Sequence, residues 1–196
     1  MQPEDQQQAL VLARSVLEHH VRKQPLPVLD ELGILITPAF QEFRGVFITL
    51  FQEPAPFSKI LRGCVGTILA QCPLYEGIIV HTVNAASRDR RFLAVREEEL
   101  AGLVIEINVL SLPYCIDSYH RIDLGKDGII LSQGPHQAVF LPSVPIEWNW
   151  TLEETLGHLS KKAGLSEDAW QDSSTQFQVF QSESFSEKTR RNELLF

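Results

Sequence analysis

A cysteine between two glycines is the part of this sequence whose residue types point most directly to chemistry. Residues 61–66 read LRGCVG, which places Arg62 two positions before Cys64. Glycine lacks a Cβ, so Gly63 and Gly66 would let a ligand or another strand approach the backbone closely. A nearby guanidinium favours the thiolate, the reactive form of a cysteine. Cys64 is therefore a candidate nucleophile or ligand-contacting thiol. The alternative is that Cys64 is a small buried hydrophobic residue.

A second set of polar residues recurs at helical spacing. Gly77, His81, Asn84 and Arg88 are separated by three or four positions, so they share one surface of a helix predicted over residues 73–87. If this surface faces a cleft, His81 is a candidate proton-transfer group, and Asn84 and Arg88 are candidate ligand-binding residues. If it faces water, the four residues form an ordinary solvated stripe.

Charged residues elsewhere offer two further candidates. Glu106 falls on the polar side of a predicted strand, where it would act as a general acid or base. Alternatively, it would form an ion pair with Arg62 or Arg88. Arginines at four nearby positions could hold a carboxylate or a phosphate. Because three glutamates follow at 97–99, pairing within the chain is the alternative. The arginines are Arg88, Arg90, Arg91 and Arg96.

Metal and cofactor sites are not predicted. The three cysteines, at 64, 72 and 115, form no CxxC pair. His19 and His20 are adjacent, so on a helix they would point about 100° apart rather than converge on a metal. The sequence contains no glycine-rich phosphate loop and no GxSxG nucleophile elbow.

Composition narrows the class of protein. Among 196 residues, 17 are basic and 25 are acidic, which gives a net charge of −8. Nucleic acids and anionic membrane surfaces both require a basic footprint, so neither is an expected partner. No apolar run approaches the ~18 residues of a membrane helix, and the polar N-terminal residues lack the features of a secretory signal. The sparse cysteines agree with a cytoplasmic location, which we therefore expect.

The pattern of elements predicts an α+β fold, mainly an antiparallel sheet with flanking helices. Apolar periodicity, proline and glycine positions and a capping box at Thr151 and Glu154 define the elements, which do not alternate regularly as βαβ units. The predicted helices cover 6–22, 73–87 and the segment from 151 to Gly164. The predicted strands cover 45–51, 61–69, 103–110, 128–132, 137–141 and 176–185.

Taken together, several segments resemble one known family. Residues 61–66 are similar to the LRGCIG signature of the AMMECR family. The resemblance continues through 84–92 (NAASRDRRF, similar to AAxxDPRF), 105–111 (IEINVLS, similar to IEISVLS), 140–144 (FLPSV), Trp148, 162–165 (KAGL) and Trp170. It covers about residues 8–186. Arg90 departs from the pattern by replacing a proline, and Val65 departs from it by replacing an isoleucine.

The resemblance implies one AMMECR-like domain over residues 1–196, ending in a charged tail at 187–196. The expected fold has a larger and a smaller lobe with a cleft between them, and the signature lies near that cleft. The family has no firmly assigned activity. Its short prokaryotic members, also called AmmeMemoRadiSam system protein A, are associated with a Memo-like protein and a radical SAM protein, which implies these two as partners.

Two functions remain open. In the first, the protein is an enzyme or modifying subunit that binds a small anionic ligand. Arg62 orients the ligand, Cys64 attacks or contacts it, and His81 or Glu106 moves protons. In the second, the protein is a non-catalytic interaction module whose glycine-opened segment binds a partner chain.

Overall fold

The chain forms two compact units. The computed structural model describes residues 1–55 and 58–187. The first unit contains residues 1–109 and the chain from Glu183 onward, and the second contains residues 110–182. The helices are α1 (Pro3–Val21), α2 (Pro38–Gln41), α3 (Leu74–Ser87), α4 (Ser143–Glu147) and α5 (Leu152–Lys162). The strands are β1 (Val46–Ala55), β2 (Ser58–Thr67), β3 (Leu103–Leu110), β4 (Tyr114–Ile116), β5 (Asp127–Gln133), β6 (His136–Phe140) and β7 (Gln176–Ser186).

The first unit is a sheet covered by helices on one face. Its hydrogen-bonded strands run in the order β2–β1–β3–β7, with β1 antiparallel to both β2 and β3. Helix α3 packs on β1 and β2, and α1 packs on α3. Alternating residues of β1, such as Ile48 and Leu50, are fully buried in the core, together with Leu17 of α1 and Ile78 of α3. One face of β1 is therefore completely buried, whereas Phe47 and Phe51 on the other face are half-buried.

A buried ion pair ties the end of β7 into the same unit. Arg14 of α1 donates hydrogen bonds to both carboxylate oxygens of Glu187 and to the carbonyl of Leu103, the latter at 2.8 Å. The same carboxylate accepts the backbone N–H of Ile105 at 2.9 Å. Glu187 is the one residue of the predicted 187–196 tail that the structure describes, and the other nine lie outside the described residues.

The second unit has its own strands and its own core. Strand β7 pairs with β4 and β5, and β5 also pairs with β6, all antiparallel. Helix α5 packs on β6, and buried Leu156 and Leu159 join a core that includes Ile129 and Val179. The predicted capping box is present, because Glu154 accepts the N–H of Thr151 at 2.8 Å while its own N–H donates to the Thr151 hydroxyl at 3.3 Å.

The predicted α+β class is confirmed, and the main departure concerns β1. The sequence predicts that this strand ends at residue 51, before the prolines, yet β1 continues to Ala55, which pairs with Ser58. Pairing with β3 stops at Gln52, so the missing N–H of Pro54 leaves no gap in the hydrogen bonding between β1 and β3. The short elements α2, α4 and β4 were not predicted. The cleft implied by the family resemblance stays a prediction. None of the described helices is both long and apolar enough to cross a membrane.

Candidate functional site

The backbone of Cys64 is held at the outer edge of the sheet by the turn that follows α3. Its N–H donates to Asp89 Oδ2 at 2.9 Å, and its carbonyl accepts from Arg91 Nη2 at 3.3 Å. Strand β2 has β1 as a neighbour on one side, so these two side chains occupy hydrogen-bonding groups on the other side. Asp89 lies 25 positions from Cys64 in the chain and is not among the site residues predicted from the sequence.

Asp89 is a buried carboxylate with a full set of donors. Besides the Cys64 N–H, it accepts from the Arg91 N–H at 3.1 Å and from Arg91 Nε and Nη2 at 3.0 and 2.7 Å. The side-chain hydrogen bonds from Arg91, with the two backbone N–H groups, hold the pKa of Asp89 well below its usual range. The same pairing raises the pKa of Arg91. The turn therefore carries a fixed ion pair against the Cys64 backbone.

The Cys64 sulfur lies on the face of the sheet opposite α3, in a row with two polar residues. Thr49 of β1 is directly opposite both Cys64 on β2 and Glu106 on β3. Its hydroxyl donates to Cys64 Sγ at 3.3 Å. Cys64 is half-buried, whereas Thr49 is buried. The structure thus brings the predicted residues Cys64 and Glu106 onto one face. It also adds Thr49. The alternation along β1 predicts the face on which Thr49 lies, but its position between Cys64 and Glu106 depends on the register of the three strands.

Glu106 is paired with a lysine rather than an arginine. Lys59 Nζ lies 3.4 Å from Glu106 Oε2, and Asn108 Nδ2 lies 3.5 Å from Glu106 Oε1. The sequence alternative, an ion pair between Glu106 and Arg62 or Arg88, is therefore wrong about the partner. Arg62 pairs with Glu99, and Arg88 is exposed in the turn after α3. The Glu106 carboxylate is half-buried at the far end of the row from Cys64.

Aromatic side chains flank this row on both sides. Phe47 and Phe51 are two positions from Thr49 on β1, so they share its face. Gly66 pairs with Phe47, and a Cβ on Gly66 would lie 2.4 Å from Phe47 Cγ, so the ring covers the glycine. Lys59 Nζ lies 5.0 Å from the centre of the Phe51 ring. The row is therefore polar along its length and apolar at its borders.

Gly63 serves close packing on the opposite face. A Cβ at this position would lie 2.3 Å from the carbonyl oxygen of Ala85, in α3. Helix and strand backbones approach each other here more closely than any side chain would allow. The space that the sequence predicts beside Gly63 and Gly66 for a ligand or partner is thus filled by the chain itself, by Ala85 and Phe47 respectively.

Arg62 does not lie beside the sulfur. Its Nε and Nη2 donate to the two carboxylate oxygens of Glu99 at 2.7 and 3.1 Å, and its Nη1 donates to the carbonyl of Leu93 at 2.9 Å. Arg62 in turn lowers the pKa of Glu99. Both side chains are only 13% exposed. The guanidinium that contacts the Cys64 backbone belongs instead to Arg91.

His81 lies on the helix side of the sheet, away from the Cys64 sulfur. Gly63 faces α3, so the next residue, Cys64, faces the other way. Burial lowers the pKa of the His81 imidazole, and its Nδ1 is buried with no hydrogen-bond partner among the described residues. The structure therefore does not bring His81 to Cys64, and the sheet lies between them.

The remaining predicted residues surround the turn after α3. Asn84 is half-buried on α3, and Arg88 and Arg90 are exposed. Within residues 1–55 and 58–187, neither of these two guanidiniums forms an ion pair. Arg96, by contrast, pairs with Glu98 at 3.2 Å and more loosely with Glu99, as the sequence alternative proposed. In the described part of the chain, no three His, Cys, Asp or Glu side chains are arranged to hold a metal ion.

Comparison with known proteins identifies the family. The AMMECR1 family model matches residues 10–185, nearly the whole chain. A Methanosarcina barkeri protein, Mbar_A1807, is 38% identical over 192 residues, covering 95% of this chain and 92% of its own. A Thermococcus onnurineus protein is 40% identical over 182 residues, covering 90% of this chain and 87% of its own. The chain therefore belongs to the AMMECR1 family.

A solved structure supports the same assignment. The crystal structure of PH0010 from Pyrococcus horikoshii superposes with a TM-score of 0.81 at 34% sequence identity, covering 97% of this chain and 95% of that chain. The names of these relatives state no activity.

Proposed function

We propose that this protein is a small-ligand-binding enzyme or modifying subunit in which Cys64 is the attacking or ligand-contacting thiol. The observation that supports the proposal is the cross-strand row of Cys64, Thr49 and Glu106, with the Thr49 hydroxyl 3.3 Å from the sulfur. A sulfur that only filled space in an apolar core would have neither a hydroxyl donor nor a carboxylate in the same row.

The spacing of the row sets the size of the ligand. Adjacent strands are about 4.8 Å apart, so Cys64 and Glu106 are separated by about 10 Å, too far for direct proton transfer. A small molecule lying across β1 would contact the sulfur at one end and the carboxylate at the other. Cys64 would attack or hold the ligand, and Glu106 would accept or donate a proton at its far end. The Thr49 hydroxyl would hold the sulfur in position.

Aromatic and basic groups indicate what such a ligand contains. The rings of Phe47 and Phe51 border the row and suit an apolar body. Arg88 and Arg90 flank the aspartate that holds the Cys64 backbone, and both are exposed. They replace Arg62 as the groups we propose to attract an anionic end of the ligand. We further propose that the Memo-like and radical SAM proteins are the partners that supply or consume this ligand, on the basis of the family resemblance.

Two alkylating reagents that differ in charge test this proposal. Iodoacetate is anionic and iodoacetamide is neutral, and both modify the same sulfur. Cys115 is an exposed cysteine near Asp117, so it provides an internal reference within the same molecule. We expect the ratio of the iodoacetate rate to the iodoacetamide rate to be several-fold higher at Cys64 than at Cys115, as measured by peptide mass spectrometry on the native protein.

Substitutions identify the source of the preference. Replacing both Arg88 and Arg90 with glutamine should lower the ratio at Cys64 and leave Cys115 unchanged, because opposite charges attract an approaching anion. Replacing Lys23, an exposed lysine at the end of α1, should change neither ratio. A native Cys64 that resists both reagents while Cys115 reacts would contradict the proposal.

A further inference from the structure

The second unit contains a cavity that the proposed function does not use. It has a volume of about 410 Å³ and is lined by residues 115–119, 170–173 and 175–177. Strand β4 and the turn after it form one wall, and the segment leading into β7 forms the other. The volume lies in the range of small-molecule sites, at its lower end. The cavity therefore suits a ligand of one ring with a short side chain.

Three aromatic side chains, Tyr119, Trp170 and Phe177, line the cavity. Tyr119 meets the ring of Trp170 edge-on, with ring centres 4.9 Å apart, and its centre lies 6.3 Å from that of Phe177. Trp170 and Phe177 are buried in the core of the unit, so their positions are fixed by packing. Tyr119 belongs to one wall and Trp170 and Phe177 belong to the other, and aromatic rings attract both flat apolar groups and cations.

The charged side chains that line the cavity are acidic. Asp117 and Asp172 are both in the lining, and among its described residues there is no lysine, arginine or histidine. Asp117 is 3.4 Å from Arg121, an exposed surface pair. Within residues 1–55 and 58–187, no lysine or arginine pairs with Asp172. One of its oxygens accepts the N–H and the hydroxyl of Ser174, both at 2.8 Å. These hydrogen bonds lower the pKa of Asp172, so it stays ionised at neutral pH.

Uncharged polar groups complete the lining. Gln171, Ser173 and Gln176 all contribute to it. No hydrogen bond from their side chains to the rest of the described chain is present, so they can bind a hydroxyl or amine of a ligand. The cavity thus combines three aromatic rings, two carboxylates and hydrogen-bonding groups that have no side-chain partner in the described chain.

We infer that this cavity is a second ligand site, which binds a small molecule carrying a flat apolar ring and an ammonium group. The ring packs against Tyr119, Trp170 and Phe177, and the ammonium group pairs with Asp172. An anionic ligand would bring its charge against two carboxylates, which disfavours it. The site is separate from the Cys64 row and does not depend on the function proposed there.

Three probes with one ring and different charges test the inference. They are 2-phenylethylamine, 2-phenylethanol and 3-phenylpropionate, each titrated into the full-length protein. Binding is followed by NMR shifts of the Trp170 indole N–H and of the amides of residues 171–177. We expect the amine to bind more tightly than the alcohol and the carboxylate to bind most weakly.

Two matched variants separate a specific contact with Asp172 from general acidity. Asp172→Asn should weaken amine binding by about fivefold, the loss of one charge contact near the surface. Asp123→Asn removes an exposed carboxylate of the same unit outside the cavity and should leave binding unchanged. Equal binding of the three probes, no binding of the amine, or equal amine affinity in wild type and the Asp172→Asn variant would each overturn the inference.

Discussion

At the residue scale, the backbone of Cys64 is held from outside the LRGCVG stretch, by Asp89 in the turn after α3. The carboxylate holds the Cys64 N–H and fixes Arg91 beside the Cys64 carbonyl. The sequence predicts that Arg62 lies beside the Cys64 thiol because the two residues are close in the chain. This prediction is wrong, because Arg62 forms an ion pair with Glu99. The turn after α3 folds back onto β2, so it brings Asp89 and Arg91 to Cys64 although they are distant in the sequence.

Asp89→Asn should destabilise the fold at neutral pH. It removes charge-assisted hydrogen bonds from a buried carboxylate, so we expect a loss of about 1–3 kcal/mol in the free energy of unfolding. The folded-state pKa of Asp89 is depressed, so its stabilisation is present above its unfolded pKa and is lost as the pH falls toward the folded pKa.

Urea denaturation at several pH values measures this effect. The difference between wild type and the variant should be constant near neutrality and should shrink as the pH falls below about 4. Asp30→Asn, at an exposed position in the same unit, should show a much smaller difference. If the difference in the free energy of unfolding between wild type and the variant grew as the pH fell, the ionised Asp89 carboxylate would destabilise the fold, which would contradict the prediction.

At the scale of elements, the contact between β2 and α3 is set by glycine. A Cβ on Gly63 would be 2.3 Å from the Ala85 carbonyl oxygen, whereas a Cβ on Gly102 would meet nothing within 4 Å. The helix backbone cannot yield as a flexible side chain can, so the two glycines should respond very differently to the same added methyl group.

Gly63→Ala should therefore cost about 1–3 kcal/mol or more of the free energy of unfolding, because α3 must move away from the sheet. Gly102→Ala should change it by less than about 0.5 kcal/mol. Urea denaturation of both variants provides the comparison. Similar costs for the two substitutions would show that α3 does not press on β2 at this point.

The same elements show what the sequence can and cannot predict. Strand β3 and helix α5 follow from local patterns, alternation in one case and a capping box in the other, and both are confirmed. The predicted C-terminal end of β1 was wrong, because the strand tolerates Pro54 only where its pairing with β3 has stopped. Thr49 was not singled out, because its position between Cys64 and Glu106 depends on the register of three strands. Local rules find elements, and register decides which side chains meet.

At the scale of the whole molecule, an ion pair in the first unit joins residues from near both ends of the described chain. Arg14 is 8% exposed and donates to both oxygens of Glu187. The pair joins α1 to the residue that follows β7, and Ile105 connects it to β3. Sequence patterns placed Glu187 in a tail because they contain no signal for an ion pair between residues 173 positions apart.

Glu187→Gln should lower the free energy of unfolding by about 1–3 kcal/mol, because it leaves the buried Arg14 without its counter-charge. Glu167→Gln offers a matched control. Its ion pair with Lys161 is 2.7 Å long but more than half exposed, so its loss should cost less than about 1 kcal/mol. Thermal or urea unfolding distinguishes the two, and equal effects would contradict a structural role for the buried pair.

The side chains that cover β2 have a consequence for solubility. An uncovered outer strand offers free amides and carbonyls to which an identical strand of another molecule can add, which is a common route to aggregation. At Cys64, Asp89 and Arg91 form hydrogen bonds with the backbone N–H and carbonyl of this outer strand. The ion pair therefore protects this point of β2 from pairing with another molecule. Strong acid would remove that protection by neutralising the Asp89 carboxylate.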